Sequence, residues 1–448
     1  MSLATRDVLQ FLAGDRLPVF RATSRHLSVA YPLQAESGII DPRTRSKVLG
    51  LPAGYSGRDK SGGIFYWDPV QFYQAGIVQS TNVMILGKIG NRKSAQVKME
   101  ILRGVVAGYN HLATDLKNEY TLVANAIPGS KILRFGIDTG MFINALDGVM
   151  DHNTQVDLVA AMALTAMGNG RGNKTELDII ELSLLDQAIV AAHAHPKGRV
   201  AILPDAVEWL FEPSEEMALA MHRPVEFLRE QGYKMALALR RLTEGDLRGM
   251  FHKETTPGLF DPTPLLVLNC EALKGEAAVI MVILINFFTQ SQQRRKDKAA
   301  RFHKVYHDEA WDLAIYPAFI DSVRKAFKVG GTWGVSNTIV AHHLSNLYRS
   351  GAGEAVKDLT ADSGTKVLYQ QDRAELEASA EELGLTRNEV NRIVDLPPGT
   401  AIYKIGNLPG IEVEQVAWPE ELPLLETRHL LRGKEEPETD PRQVLNTP

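Results

Sequence analysis

Four apolar residues in a row, Val83-Met84-Ile85-Leu86, are stopped by Gly87, and apolar positions then return at a different period. Val97, Ile101 and Val105 recur every fourth residue, with Leu102 and Val106 beside them. The run predicts a short buried strand, and the recurrence predicts one face of a helix. Further short apolar segments stand at 131–135, 264–270, 304–309, 336–343, 366–371 and 400–406, and helical patterns separate most of them. This alternation predicts an α/β fold with a mainly parallel sheet.

The middle of the chain, 150–260, reads as helical. Thr175 followed by Asp178 resembles a capping box with Asp in the Glu position. Leu177, Ile180, Leu184 and Ala188 then form one apolar stripe, and 224–242 forms a second helical pattern despite Gly232. The block is expected to be an inserted all-helical subdomain. The apolar run 277–288 has 12 residues, short of the ~20 that span a bilayer, so it predicts a buried helix. Turn signals dominate 1–80 and predict a strand-and-loop extension. The core is expected at 81–150 and 260–410. A last strand and a polar, proline-containing tail are expected over 411–448.

Composition narrows the picture. With 448 residues the chain holds more than one domain, or one domain with an insertion. A net charge of -5 does not advertise nucleic-acid binding. The single cysteine, Cys270, excludes a disulfide framework within the chain and argues against a cysteine zinc site. Arg6, Asp7, Asp15 and Arg16 interrupt the N-terminal apolar residues, which is not the pattern of a signal peptide. A cytoplasmic location is the expectation.

The stretch "GKIGNRKSA" (87–95) lies where the strand hands over to the helix. A phosphate loop reads G-x-x-x-x-G-K-[ST]. Gly87, Lys93 and Ser94 fit it, but Arg92 stands where the second glycine belongs. Backbone N–H groups and a helix N-terminus bind the anion in such a loop, lysine adds charge, and the hydroxyl helps hold Mg²⁺. Alone, the stretch is equally well a chance match. A second element is "FHKVYHDEAWDLA" (302–314), with Asp308 and Glu309 at the C-terminal end of a candidate strand. Ligands bind at that end in α/β sheets. Asp308 would hold Mg²⁺ and Glu309 would polarise the attacking water; the plain alternative is a pair of solvated acids.

"DEAW" after a strand, "DLKNEY" (115–120) and "INALD" (143–147) are similar to the ATPases of conjugative type IV secretion. The resemblance is to the TraC-like branch of the FtsK/HerA superfamily, in a form common in actinobacteria. It extends over about 25–420. It implies a RecA-like P-loop core with a helical insertion, usually a hexamer, using ATP and Mg²⁺ to move protein or DNA through a membrane channel. The implied partners are channel components at the inner face of the membrane. By position, the resemblance assigns Gly87, Gly90, Asn91, Arg92, Lys93, Ser94 and Ala95 to the phosphate loop. It assigns Asp308 and Ser94 to the metal, Glu309 and Lys93 to catalysis, and Asp115, Lys117 and Glu119 to the nucleotide's surroundings.

The chain departs from that pattern at Arg92, at "HHLSNL" (342–347) where "HRLSDL" is usual, and at Gln370 where arginine is expected. A left-handed backbone at Arg92 would cost about 1–2 kcal/mol. Its side chain would either crowd the phosphates or bind them bidentately. Two readings stay open beside the motor: a subunit that binds nucleotide with little hydrolysis, and a DNA translocase. The basic stretch 292–301 is a solvated loop or a phosphate contact. His342 and His343, adjacent on a strand, are expected to point to opposite faces.

Overall fold

The computed structural model describes residues 54–425, apart from 137–138, 169–175, 262, 274, 294–302, 310–312 and 348–352. The stretch 292–301, Thr175 and the tail beyond 425 therefore lie wholly or mostly outside the described residues.

The described residues open with β1 (Tyr55–Asp59), β2 (Ile64–Tyr66) and α1 (Pro69–Gln74). Asp68 caps α1 by accepting from the N–H groups of Val70 and Gln71, with Pro69 in the first turn. Then come β3 (Val83–Leu86), α2 (Lys93–Val106), β4 (His111–Asp115), α3 (Thr121–Ala126) and β5 (Lys131–Arg134). Five helices follow: α4 (His152–Ala166), α5 (Ile179–Ala194), α6 (Leu203–Phe211), α7 (Glu215–Met221) and α8 (Val225–Thr243). The chain returns through β6 (Leu265–Asn269), α9 (Glu276–Gln293), β7 (Lys304–His307), α10 (Pro317–Trp333) and β8 (Ser336–Ala341). The described residues end with α11 (Leu344–Leu347), α12 (Gly353–Ala361), β9 (Thr365–Leu368), α13 (Arg373–Leu383), α14 (Arg387–Val394), β10 (Thr400–Ile405), β11 (Ile411–Gln415) and α15 (Leu422–Leu425).

Among the described residues, eleven strands form one sheet in the order β2-β1-β11-β10-β9-β3-β8-β7-β4-β6-β5. From β9 to β5 every pairing is parallel. From β9 outward to β2 every pairing is antiparallel. The period-two geometry of β3 divides the core. Val83 and Ile85 pack with Val97, Ile101 and Leu102 of α2. Met84 and Leu86 face the other layer, which holds α4, α9 and α10.

The helices α4 to α8 leave after β5 and return into β6, its neighbour in the sheet. α4 packs against α9, so this block shares the large apolar cluster of the sheet layer. α5 is closed by a capping box in which Asp178 receives the Glu181 N–H and Glu181 receives the Asp178 N–H. The box therefore stands three residues later than the Thr175–Asp178 expectation, because Asp178 is the cap and not its partner. The run 277–288 is a buried helix, and among the described residues no helix is long and apolar enough to cross a membrane.

β4 was not legible from periodicity. It reads His-Leu-Ala-Thr-Asp, yet all five residues are buried. The Thr114 hydroxyl donates to the Tyr306 carbonyl at 3.2 Å, and the His111 ring stacks on that of Tyr306.

Candidate functional site

The phosphate-loop stretch joins β3 to α2 at the C-terminal edge of the parallel strands. Gly87 is required for space: a Cβ there would lie 2.4 Å from the Cβ of Tyr369. Gly90 has φ 87° and Arg92 has φ 66°, so the loop contains two left-handed residues, as the sequence foresaw for Arg92. Arg92 is the N-cap of α2 and gives it no side-chain capping bond. The first-turn N–H groups of α2 are thus presented at the loop without a side-chain cap, as an anion site needs.

Arg92 is exposed. Its Cδ and Nη1 lie 3.4 and 3.6 Å from where a Cβ of Gly399 would be, against the turn that enters β10. Asn91 is buried and donates to the Lys88 carbonyl at 3.4 Å. Lys93 is buried, and its Nζ donates to the carbonyls of Gly87 at 2.5 Å and Lys88 at 3.1 Å. It also lies 3.1 Å from His342 Nδ1. Burial pushes the Lys93 ammonium down to about 8, against the opposing pull of Asp308 and Glu309.

Strand order brings the rest together. β8 lies between β3 and β7, and β4 lies beyond β7. Asp308 and Glu309 directly follow β7. Asp308 Oδ2 accepts from the Tyr120 hydroxyl at 2.7 Å, and its Oδ1 from the Glu309 N–H at 2.9 Å. Glu309 has φ 55°. Its Oε1 pairs with Lys117 Nζ at 2.6 Å, and its Oε2 lies 3.4 Å from His342 Nε2.

Asp115 shapes the loop after β4. Its carboxylate accepts from the N–H groups of Lys117 (3.2 Å), Glu119 (3.0 Å) and Tyr120 (3.0 Å). Burial nevertheless holds its proton affinity above the ordinary carboxylate range. Glu119 stands beside the Ser94 hydroxyl, which favours its charged form, and lies 4.0 Å from the buried Lys98. Burial first, and then the Asp308 charge, raise Glu119. Gly87, Asn91, Lys93, Ser94, Glu119, Lys117, Asp308 and Glu309 are therefore linked through one contiguous region. Ala95 stands in the first turn of α2 behind them.

Among the described residues no cluster of three metal-binding side chains occurs. The hard oxygens of Ser94 and Asp308 suit Mg²⁺, which is commonly held by one or two protein oxygens together with substrate phosphates. Three residues were given no role in the site in advance: Tyr120, His342 and Lys98. Tyr120 closes the "DLKNEY" stretch, where its place beside two acids was the available signal. His342 lies just past β8, which ends at Ala341, so the two-face argument for His342 and His343 does not apply as stated. His343 bonds Gln371 at 2.7 Å instead. Gln370 is spent on the Val394 carbonyl at 3.1 Å, and Ser345 on Glu375.

No family profile matches the sequence, and no curated protein matches it. Solved structures do. VirB4 of Thermoanaerobacter pseudethanolicus superimposes with a TM-score of 0.63 at 17% identity, over 82% of this chain and 97% of that one. The conjugative coupling protein TrwB, in its unbound form, gives 0.57 at 15% identity over 81% and 88%. TrwB in complex with ADPNP, a non-hydrolysable ATP analogue, gives 0.54 at 14% over 75% and 85%. The fold is the RecA-like P-loop fold. At these identities the likeness to VirB4 and TrwB establishes architecture alone.

Proposed function

We propose that this chain is an ATP-hydrolysing motor subunit of a conjugation or type IV secretion apparatus. The observation that carries the reading is the meeting of Lys93 and Ser94 with Asp308 and Glu309 across three adjacent parallel strands. Residues 214 positions apart in sequence (308 − 94 = 214) converge there. The likeness in fold to VirB4 and TrwB supports it. TrwB has been solved with ADPNP and with ADP and Mg²⁺, which supports ATP and Mg²⁺ as the groups bound here.

In this reading the loop N–H groups and Lys93 bind the phosphates. Ser94 and Asp308 hold Mg²⁺, which when bound supplies positive charge to the phosphate oxygens. Tyr120 fixes Asp308 by its hydroxyl bond. Glu309 orients water for in-line attack, and Glu119 fixes the Ser94 hydroxyl. Asp115 and Lys117 serve the site through the loop they shape. Arg92 leaves binding intact and weakens hydrolysis modestly, since its strain is local and its guanidinium lies against Gly399. The motor works as a homo-oligomer, a hexamer by resemblance, at the cytoplasmic face of the membrane. Its partners are channel components, and its cargo is protein or DNA. The helical block 150–260 is its inserted subdomain.

The test is steady-state ATP turnover with and without Mg²⁺, together with calorimetric affinity for ADPNP. Micromolar-range binding with Mg²⁺-dependent turnover is the expected result, about −8 kcal/mol of binding. Wild-type protein that binds no nucleotide would remove the proposal.

A further inference from the structure

We infer that Lys117 restrains Glu309: the lysine of the loop after β4 holds the carboxylate placed to orient water, and the pair must part before hydrolysis. The inference rests on the ATPase reading above. Lys117 acts through Glu309, so it is a positioning residue.

Three observations converge on it. The Lys117–Glu309 contact is 2.6 Å, with the glutamate side chain only 12% exposed and the lysine 42%. The lysine's origin is fixed, because Asp115 accepts from its backbone N–H at 3.2 Å. Next, Glu309 has a left-handed backbone, φ 55°. A non-glycine residue persists there only where its surroundings hold it. Lys117 and His342 are two of the groups that do so, at 2.6 and 3.4 Å.

The third observation concerns the phosphate lysine. An ammonium has three N–H donors. Lys93 directs Nζ to the Gly87 carbonyl, the Lys88 carbonyl and His342 Nδ1, at 2.5, 3.1 and 3.1 Å. A phosphate oxygen arriving at Lys93 must displace one of these acceptors. Of the three, His342 also reaches Glu309, and Glu309 reaches Lys117. The contacts Lys93–His342–Glu309–Lys117 thus run unbroken from the phosphate loop to the restrained acid. Anion arrival at one end loosens the contact at the other.

Lys117→Met keeps the aliphatic stem and removes the charge. Turnover, ADPNP affinity and melting temperature are measured on the full chain for wild type and variant. The restraint predicts that kcat rises about two- to five-fold, the scale on which a partly exposed ion pair acts. KM and ADPNP affinity stay within about two-fold, since ground-state binding is untouched. Lys117→Gln repeats the measurement if the methionine variant melts early. A kcat that falls or does not change, with ADPNP still bound, overturns the restraint. A loss of ADPNP affinity in the variant overturns it too and assigns Lys117 to nucleotide contact. Absence of binding in wild type defeats the ATPase reading itself, and is separable because it precedes any substitution.

Discussion

Arg92 and Gly87 show how one loop meets two different demands. Gly87 is glycine because Tyr369 fills the space a side chain would need. Arg92 carries the left-handed turn that glycine usually carries, and sends its side chain to Gly399. The sequence made the anomaly at Arg92 legible, and the backbone strain with it. It did not reveal the direction of the side chain, which depends on the turn before β10, some three hundred residues away. Arg92→Gly relieves about 1 kcal/mol of backbone strain and removes the packing on Gly399. ADPNP affinity should change little, and turnover should rise by less than about ten-fold, that is, less than 1.4 kcal/mol in the barrier. A variant active where wild type is silent would show instead that Arg92 disables the loop. Lys93, Ser94, Asp308 and Glu309 were readable because a motif fixes their spacing. Tyr120 and His342 were not, since their roles come from neighbours in the fold and not from neighbours in sequence.

At the level of elements, the apolar runs of β3 and β6 were readable, and they and β10 stand where the pattern put them. β4 was missed because a fully buried strand with polar partners has neither alternation nor a continuous apolar run. The α5 cap was misplaced because Asp178, read as the partner of a cap, is itself the cap and closes reciprocally with Glu181. Gly232 in α8 looked like a weak point in a helix. It is a packing requirement: a Cβ there would lie 2.9 Å from both Leu184 Cδ2 and the Leu210 carbonyl oxygen. Gly232→Ala, although it improves helix propensity, should destabilise the protein by about 1–3 kcal/mol through overpacking. Urea unfolding followed by circular dichroism reads this; an unchanged or raised midpoint would mean that α5, α6 and α8 pack more loosely than described.

The whole molecule is tied together at the phosphate-loop helix. Arg103 of α2 is buried, donates to both carboxylate oxygens of Glu421 at 2.8 and 2.6 Å, and also bonds the Tyr55 and Val416 carbonyls. Its guanidinium lies 5.1 and 4.3 Å from the parallel rings of Tyr55 and Trp418. One side chain thus joins the N-terminal strand, the loop helix and the C-terminal segment. Arg103→Leu leaves Glu421 buried without its cation and should cost about 3–5 kcal/mol. Chemical unfolding monitored by tryptophan fluorescence measures the loss, and a cost below 1 kcal/mol would contradict this clamp. The alternation of strands and helices made the parallel half of the sheet legible over this same scale. The antiparallel extension was only partly so, because its strands are short and lie at the two ends of the chain. The account's central claim is that the two ends of the site, Lys93-Ser94 and Asp308-Glu309, work as one ATPase centre. The most direct measurement is ATP turnover by wild type and Glu309→Gln, with ADPNP affinity measured on both. The account predicts Mg²⁺-dependent turnover in wild type, a loss of at least about a hundred-fold in the variant, and ADPNP affinity retained by both. Equal turnover in the two proteins would contradict it.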